Sequence, residues 1–155
     1  MASGPERVQQ ALDACGLESR VVRLPNSTRT ASEAAQAVGC EVGAIAKSLL
    51  FKADGEPLLV ICAGDRRVNT VAVANIVGAV DVRIASADDV RAVTGYAIGG
   101  VPPIGHATSI RTLMDTSLLR WPVIYAAAGA HDALFPADPN RLLEVSGATP
   151  ADIGT

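Results

Sequence analysis

Aromatic side chains are scarce in this chain, 3% of 155 residues. Single-strand nucleic-acid binders hold bases by stacking them on aromatic rings, so this composition argues against a stacking surface. An excess of positive charge is also missing, because 13 Lys and Arg against 16 Asp and Glu give a net charge of −3. Bulk electrostatic attachment to nucleic acid is therefore not expected. Arg20, Arg23, Arg29, Lys47, Lys52, Arg66 and Arg67 all fall in the first half, as a local basic patch or as scattered surface charge.

Cysteine and histidine are equally sparse. The 3 cysteines, Cys15, Cys40 and Cys62, are odd in number and far apart, which reads as reduced thiols and argues against both a disulfide framework and a zinc site. With His106 and His131 as the 2 histidines, a metal site would need ligands from distant parts of the chain, so none is expected. There is no Walker sequence and no nucleophile elbow, and Gly95-x-x-x-Gly99-Gly100 lacks the spacing of a dinucleotide fingerprint. No basic start leads into an apolar core, and no apolar run approaches a membrane span. The expectation is a soluble cytoplasmic protein.

What is present is a composition that folds. Hydrophobic residues make up 49% and charged residues 19%, enough for one compact domain over residues 1–155. Ser3 and Glu6 have capping-box spacing around Pro5, ahead of a helical face of Val8, Ala11, Leu12 and Cys15 that ends at Gly16. Val21 to Leu24 reads as a strand. Thr30 and Glu33 repeat the box before a second helix that Gly39 stops. Ala46 to Ala53 and Pro57 to Cys62 flank Asp54-Gly55, a hairpin turn. Asn69 or Thr70 caps a third helix ending at Gly78, Val82 to Ala85 is a strand, and Ser86 caps a fourth helix closed by Gly95. Further strands are expected at Ile110 to Asp115, Val123 to Ala127 and Ala133 to Phe135, with a helical turn around Leu118 and a last helix started by Asp138-Pro139 and stopped by Gly147. Hairpins mixed with helices, without regular βαβ alternation, imply an α+β domain whose mixed, mostly antiparallel sheet is flanked by helices.

Two places in this order could carry chemistry. Lys47 interrupts the apolar run from Val42 to Phe51, so its ammonium must reach either solvent or a partner. Its neighbour Ser48 points to the opposite face of the strand, which rules out a Ser-Lys nucleophile pair. The second place is Gly95 to Gly105, which holds 4 glycines and 2 prolines in 11 residues. Glycine permits unusual angles and close approach while proline stiffens the chain, so the segment is either a plain crossover or a rigid loop presenting N–H donors to a ligand. Tyr96 would wall such a loop or sit in the core. Asp115 at a strand end, and Asp132 beside His131, could face a cleft or serve turns.

The order Thr30-Ala31-Ser32-Glu33-Ala34-Ala35, then Ile45-Ala46-Lys47-Ser48-Leu49, then Thr94 to Gly105 resembles the YbaK family of free-standing aminoacyl-tRNA deacylases. That family is related to the editing insertion domain of bacterial prolyl-tRNA synthetase. The resemblance implies hydrolysis of the ester joining a small, wrongly attached amino acid to the 3′ acceptor end of tRNA, of tRNA-Pro or a related tRNA. It implies no cofactor, with water as nucleophile assisted by the substrate's own ribose hydroxyl. It places Lys47, Gly99, Gly100, Val101 and Pro103 in the catalytic pocket. Tyr96, Pro102, Ser48, Asp115 and Asp132 are the expected substrate contacts, Asp132 toward the amine. An early tyrosine of some members has no counterpart between Val21 and Asn26, which leaves alanine, cysteine, serine and threonine open as the amino acid removed. The expected partners are the aminoacyl-tRNA, with a synthetase or elongation factor as helper, and the expected state is a monomer or weak homodimer. The alternative is a non-catalytic member of the same fold that binds an aminoacyl group, a nucleotide or a synthetase.

Overall fold

Caps and turns set the element boundaries in the computed structural model, which describes residues 2–155. Ser3 accepts from the Glu6 amide at the start of α1 (Gly4–Cys15), and Thr30 with Glu33 forms a full capping box at α2 (Ala31–Val38). Asn69, Ser86 and Asp138 cap α3 (Thr70–Val77), α4 (Ala87–Thr94) and α5 (Pro139–Ser146). Each helix ends on a glycine in the left-handed conformation, which relieves the last carbonyls at little steric cost.

The strands are β1 (Val22–Arg23), β2 (Ile45–Ala53), β3 (Glu56–Ala63), β4 (Val82–Ile84), β5 (Arg111–Asp115), β6 (Ile124–Ala127), β7 (Ala133–Ala137) and β8 (Thr149–Ala151). They form one sheet in the order β1-β7-β6-β2-β3-β5-β8, with β4 also paired to β2. The pairs β1–β7, β6–β7, β2–β3 and β2–β4 are antiparallel, and β2–β6, β3–β5 and β5–β8 are parallel. The mixed α+β architecture expected from the sequence is the one observed. Two short 3₁₀ turns, Val42–Ala44 and Thr116–Arg120, and the strand β8 add to it.

The hairpin closes at Asp54 (φ 49°) and Gly55 (φ 85°), the positive angles of a turn that matches strand twist. The Asp54 carboxylate also accepts from the amides of Val80 and Asp81, which ties the hairpin tip to the entry of β4. Strand β3 is apolar without alternation because both its faces are covered. Leu59 and Ile61 pack with Val8, Leu12, Met114, Phe135 and Leu142, while Leu58, Val60 and Cys62 pack with Phe51, Val73, Leu113 and Ile153. A third, small cluster of Ala34, Ala35, Ile45 and Leu134 seats α2 on the sheet.

The segment from Gly95 to Gly105 is anchored along its whole length. Arg7 donates to the Gly95 carbonyl at 2.9 Å and lies over the Tyr96 ring at 4.4 Å. The buried Tyr96 hydroxyl donates to the Gly105 carbonyl at 3.1 Å, closing the loop across its base. At the tip the Gly100 amide donates to Ala97 and the Gly100 carbonyl accepts from Gly129. His106 Nε2 lies 2.7 Å from the Pro102 carbonyl and donates to it in the tautomer carrying the proton there. Gly129 (φ 89°) passes so close to Gly4 that an added Cβ would sit 2.5 Å from the Gly4 carbonyl atoms.

Two predictions follow from this anchoring. Gly129→Ala should destabilise the protein by more than about 2 kcal/mol, since a left-handed non-glycine residue alone costs roughly 1–2 kcal/mol and the contact with Gly4 adds to it. Gly147→Ala has the same kind of angle but nothing within 4 Å, and should cost only the conformational part; urea unfolding of both variants makes the comparison. Burial holds the His106 imidazole below its ordinary pKa, so the unfolded chain takes up that proton first as pH falls. Stability should therefore drop as pH is lowered through about 6.5, the ordinary histidine value. Thermal melts of His106→Gln should show a flatter response over that window than the parent; parallel curves would contradict the burial argument.

Candidate functional site

Strand β3 covers one edge of β2 from Ala46 to Ala53, but the other edge is shared. There β6 pairs with Ile45 and Ala46, and β4 pairs with Phe51 to Ala53. The Ile45 carbonyl accepts from Gly64 on the β3 side, and the Leu50 carbonyl accepts from Ala85 on the other. Antiparallel pairing alternates these directions, so the main chain of Ser48 faces the uncovered stretch.

A cleft of about 160 Å³ occupies that gap. Its floor is Ala46, Lys47, Ser48 and Leu49 of β2; one wall is Ile98, Gly99 and Val101 of the anchored loop, and the other is Thr28, Arg29 and Thr30 leading into α2. Ala127 and Leu134 close the end under β6 and β7. Lys47 and Arg29 are its charged lining residues, and no carboxylate, histidine or cysteine lines it.

Of the residues singled out from sequence, Lys47, Ser48, Gly99 and Val101 meet in this cleft. The Lys47 ammonium donates to the Arg66 carbonyl at 2.8 Å, so in the free protein it is held by a main-chain partner. The Ser48 hydroxyl is buried without a hydrogen-bond partner, an arrangement that normally costs about 1–3 kcal/mol. The Gly99 and Val101 amides make no hydrogen bond to the described residues, whereas the Gly100 amide is committed to Ala97. Gly100 is buried directly behind, where a Cβ would come 2.9 Å from the Ala130 nitrogen. Gly99 has φ 90°, and the stem of Arg29 lies across it, an added Cβ falling 2.7 Å from Arg29 Cγ.

The remaining candidates lie elsewhere. Pro102 and Pro103 are buried beyond the cleft, and Pro103 lines a separate groove with His106. Tyr96 is 3% exposed and serves the base of the loop. Asp132 sits at the surface in an ion pair with Arg23 at 2.9 Å, which holds its carboxyl below the usual range. Asp115 does not open on any cleft: it is 0% exposed and accepts from the amides of Ala63 and Ser117 and from Arg66 at 3.3 Å. A strand-end carboxylate looks the same in sequence whether it faces solvent or folds back over its own sheet.

Asp115 still acts on the site at a distance. Arg66 is fixed by Asp115, Asp152 and the Gly154 carbonyl, and its own carbonyl receives Lys47. Cys62, cross-strand from Lys47, also points its thiol at that carbonyl, and burial pushes it up to about 11. The thiol is thus protonated at neutral pH and unsuited to attack. Among the described residues no group of three His, Cys, Asp or Glu could hold a metal ion, and no helix is long and apolar enough to cross a membrane. Thr28, Arg29, Ala127 and Leu134 are lining residues that motif reading did not single out as site residues, because nothing local in the sequence marks them as such.

Known proteins resemble this chain over most of its length. A solved structure described as a candidate trans-editing enzyme for prolyl tRNA synthetase superimposes with a TM-score of 0.94 at 44% identity, over 100% of this chain and 99% of that one. An uncharacterized Bacillus subtilis protein, YwhH, is 32% identical over 83% of this chain and 82% of its own length. The proline–tRNA ligase of Bacillus licheniformis is 37% identical over 74% of this chain, which corresponds to 19% of that much longer protein. The aminoacyl-tRNA editing domain family matches residues 25–145, the span that contains every wall of the cleft, and the chain belongs to that family.

Proposed function

We propose that this protein is a free-standing deacylase that hydrolyses the ester between a small, wrongly attached amino acid and the 3′ end of a tRNA, tRNA-Pro or a related one. The observation that carries this reading is a small cleft with free loop amides and cationic residues but no side chain able to act as a general base. Ser48 is the best-placed hydroxyl, yet Lys47 on the other strand face cannot activate it. The attacking group is then water.

In the proposed step the water oxygen adds to the ester carbonyl carbon, and the amides of Gly99 and Val101 receive the developing oxyanion. Donors of this kind are worth roughly 3 kcal/mol of barrier each. The neighbouring ribose hydroxyl takes the water's proton and returns one to the departing ribose oxygen, so the carbon–oxygen ester bond breaks to release the amino acid and intact tRNA. Lys47, oriented by Arg66, orders the ribose and carbonyl side of the ester. The cleft admits small side chains and excludes larger ones. A synthetic site cannot reject a smaller analogue by more than about 1–3 kcal/mol per methylene, which is why a second, hydrolytic site is needed. Asp132 would reach the substrate amine only by leaving Arg23.

A panel of mischarged tRNAs tests the reading. At least one small amino acid among alanine, cysteine, serine and threonine should be released faster than in buffer. Lys47→Ala should lower kcat/KM about ten- to a hundredfold, the scale of a hydrogen bond to a charged group, in a protein that stays folded at assay temperature, with only the modest loss of melting temperature expected for the lost bond to Arg66. Ser48→Ala should remain active within a few fold, and a terminal 2′-deoxyadenosine should slow turnover strongly. If no charged tRNA is cleaved, the chain is a binding member of the fold instead.

A further inference from the structure

Of the two cations that line the cleft, Arg29 is the one whose charge has no partner in the free protein. Arg23, Arg66 and Arg120 each pair with an aspartate, and Lys47 is held by the Arg66 carbonyl. Among the described residues Arg29 pairs with no carboxylate, and only its main-chain amide is hydrogen-bonded, to Ser27. The nearest acidic side chain in sequence, Glu33, is turned away onto the Thr30 amide and hydroxyl at 3.2 and 3.0 Å. Yet the Arg29 stem is not loose: it lies over Gly99 and lines the cleft. A stem resting on Gly99 at the cleft wall, with an unpaired guanidinium on an exposed residue, is available to an anion that arrives with the ligand.

The chemistry of the ligand narrows what that anion is. In an aminoacyl ester the amino acid's carboxylate is consumed and its amine is cationic, so with the ester in the cleft the closest negative charge is the phosphate on the 5′ side of the esterified ribose. We infer that Arg29 grips this 5′-phosphate, holding the terminal nucleotide at the cleft mouth while the loop amides act on the ester. The inference rests on the deacylase reading for its substrate, but it concerns a different group and has its own signature. Gly99 has a second reason to be glycine, since any side chain there would displace the arginine stem.

The test compares three substrates carrying the amino acid found active in the panel: its ester on adenosine, its ester on adenosine 5′-monophosphate, and the mischarged tRNA. Arg29→Met keeps the stem over Gly99 and removes the charge; Arg29→Lys keeps a charge. Arg29→Met should raise KM about tenfold for the tRNA and the monophosphate ester with little change in kcat, and leave the adenosine ester unaffected. Arg29→Lys should recover part of the loss. The slope of log KM against log salt for tRNA should flatten by about 0.7 in Arg29→Met, the share of one single-strand phosphate contact. Equal losses on all three substrates would make Arg29 a support for Gly99 and overturn the inference, as would no loss on any. Should the parent protein cleave none of them, the deacylase reading falls. The inference is then decided by titrating adenosine and adenosine 5′-monophosphate separately: tighter binding of the phosphate form that Arg29→Met abolishes sustains it, and equal binding refutes it.

Discussion

The divided edge of β2 is the constraint on which the rest of this structure depends. One strand cannot be paired to two partners at the same residues, so where β6 leaves at Ala46 and β4 arrives at Phe51, the main chain between them is left without a ladder. Unpaired backbone within a sheet must be satisfied by water or ligand, because an unmet polar group in the interior is costly. The gap therefore leaves the backbone polar groups of Ser48 open to water or to a ligand. Lys47 and Ser48 are presented there by the strand itself, with the rigidity that eight residues of pairing to β3 confer on one side.

Everything packed around the gap keeps it from closing. The loop from Gly95 to Gly105 could collapse into it, but it is held back at Arg7, Gly105, Ala97 and Gly129. Two close approaches beside these anchors need bare backbone: Gly129 against Gly4 and Gly100 against Ala130 leave no room for a Cβ. The glycines of this segment thus serve packing as much as ligand approach. Gly100 in particular is behind the wall, and its amide is already used by the turn.

Most of the fold was legible because its signals are local. Capping pairs such as Thr30 with Glu33, stop glycines, and the Asp54-Gly55 turn act within a few residues, and each appears where the pattern placed it. The strand β8 was not, since Thr149-Pro150-Ala151 has no apolar alternation and becomes a strand only by lying parallel to β5. The site was legible in halves. Lys47 and the glycine loop could be named from sequence, but the third wall, Thr28 to Thr30, joins them only because α2 packs against β2 through Ile45. Asp115 shows the opposite error. Its strand-end position suggested a cleft, while the structure folds it beneath Arg66 to accept amides from two different segments.

The two cations of the cleft are set up in opposite ways, and that difference has physical content. Lys47 is committed to a backbone carbonyl, so its position is fixed before any ligand binds and little ordering entropy is left to lose. Arg29 has a constrained stem and an unpaired head, so whatever it binds is gained without breaking an internal ion pair. In a protein whose net charge is −3, long-range attraction for a polyanion is weak, and recognition has to come from such local cations at the mouth. On the proposed reading, a nucleic acid so held would be gripped at its end and lightly elsewhere, as sampling many charged tRNAs would require.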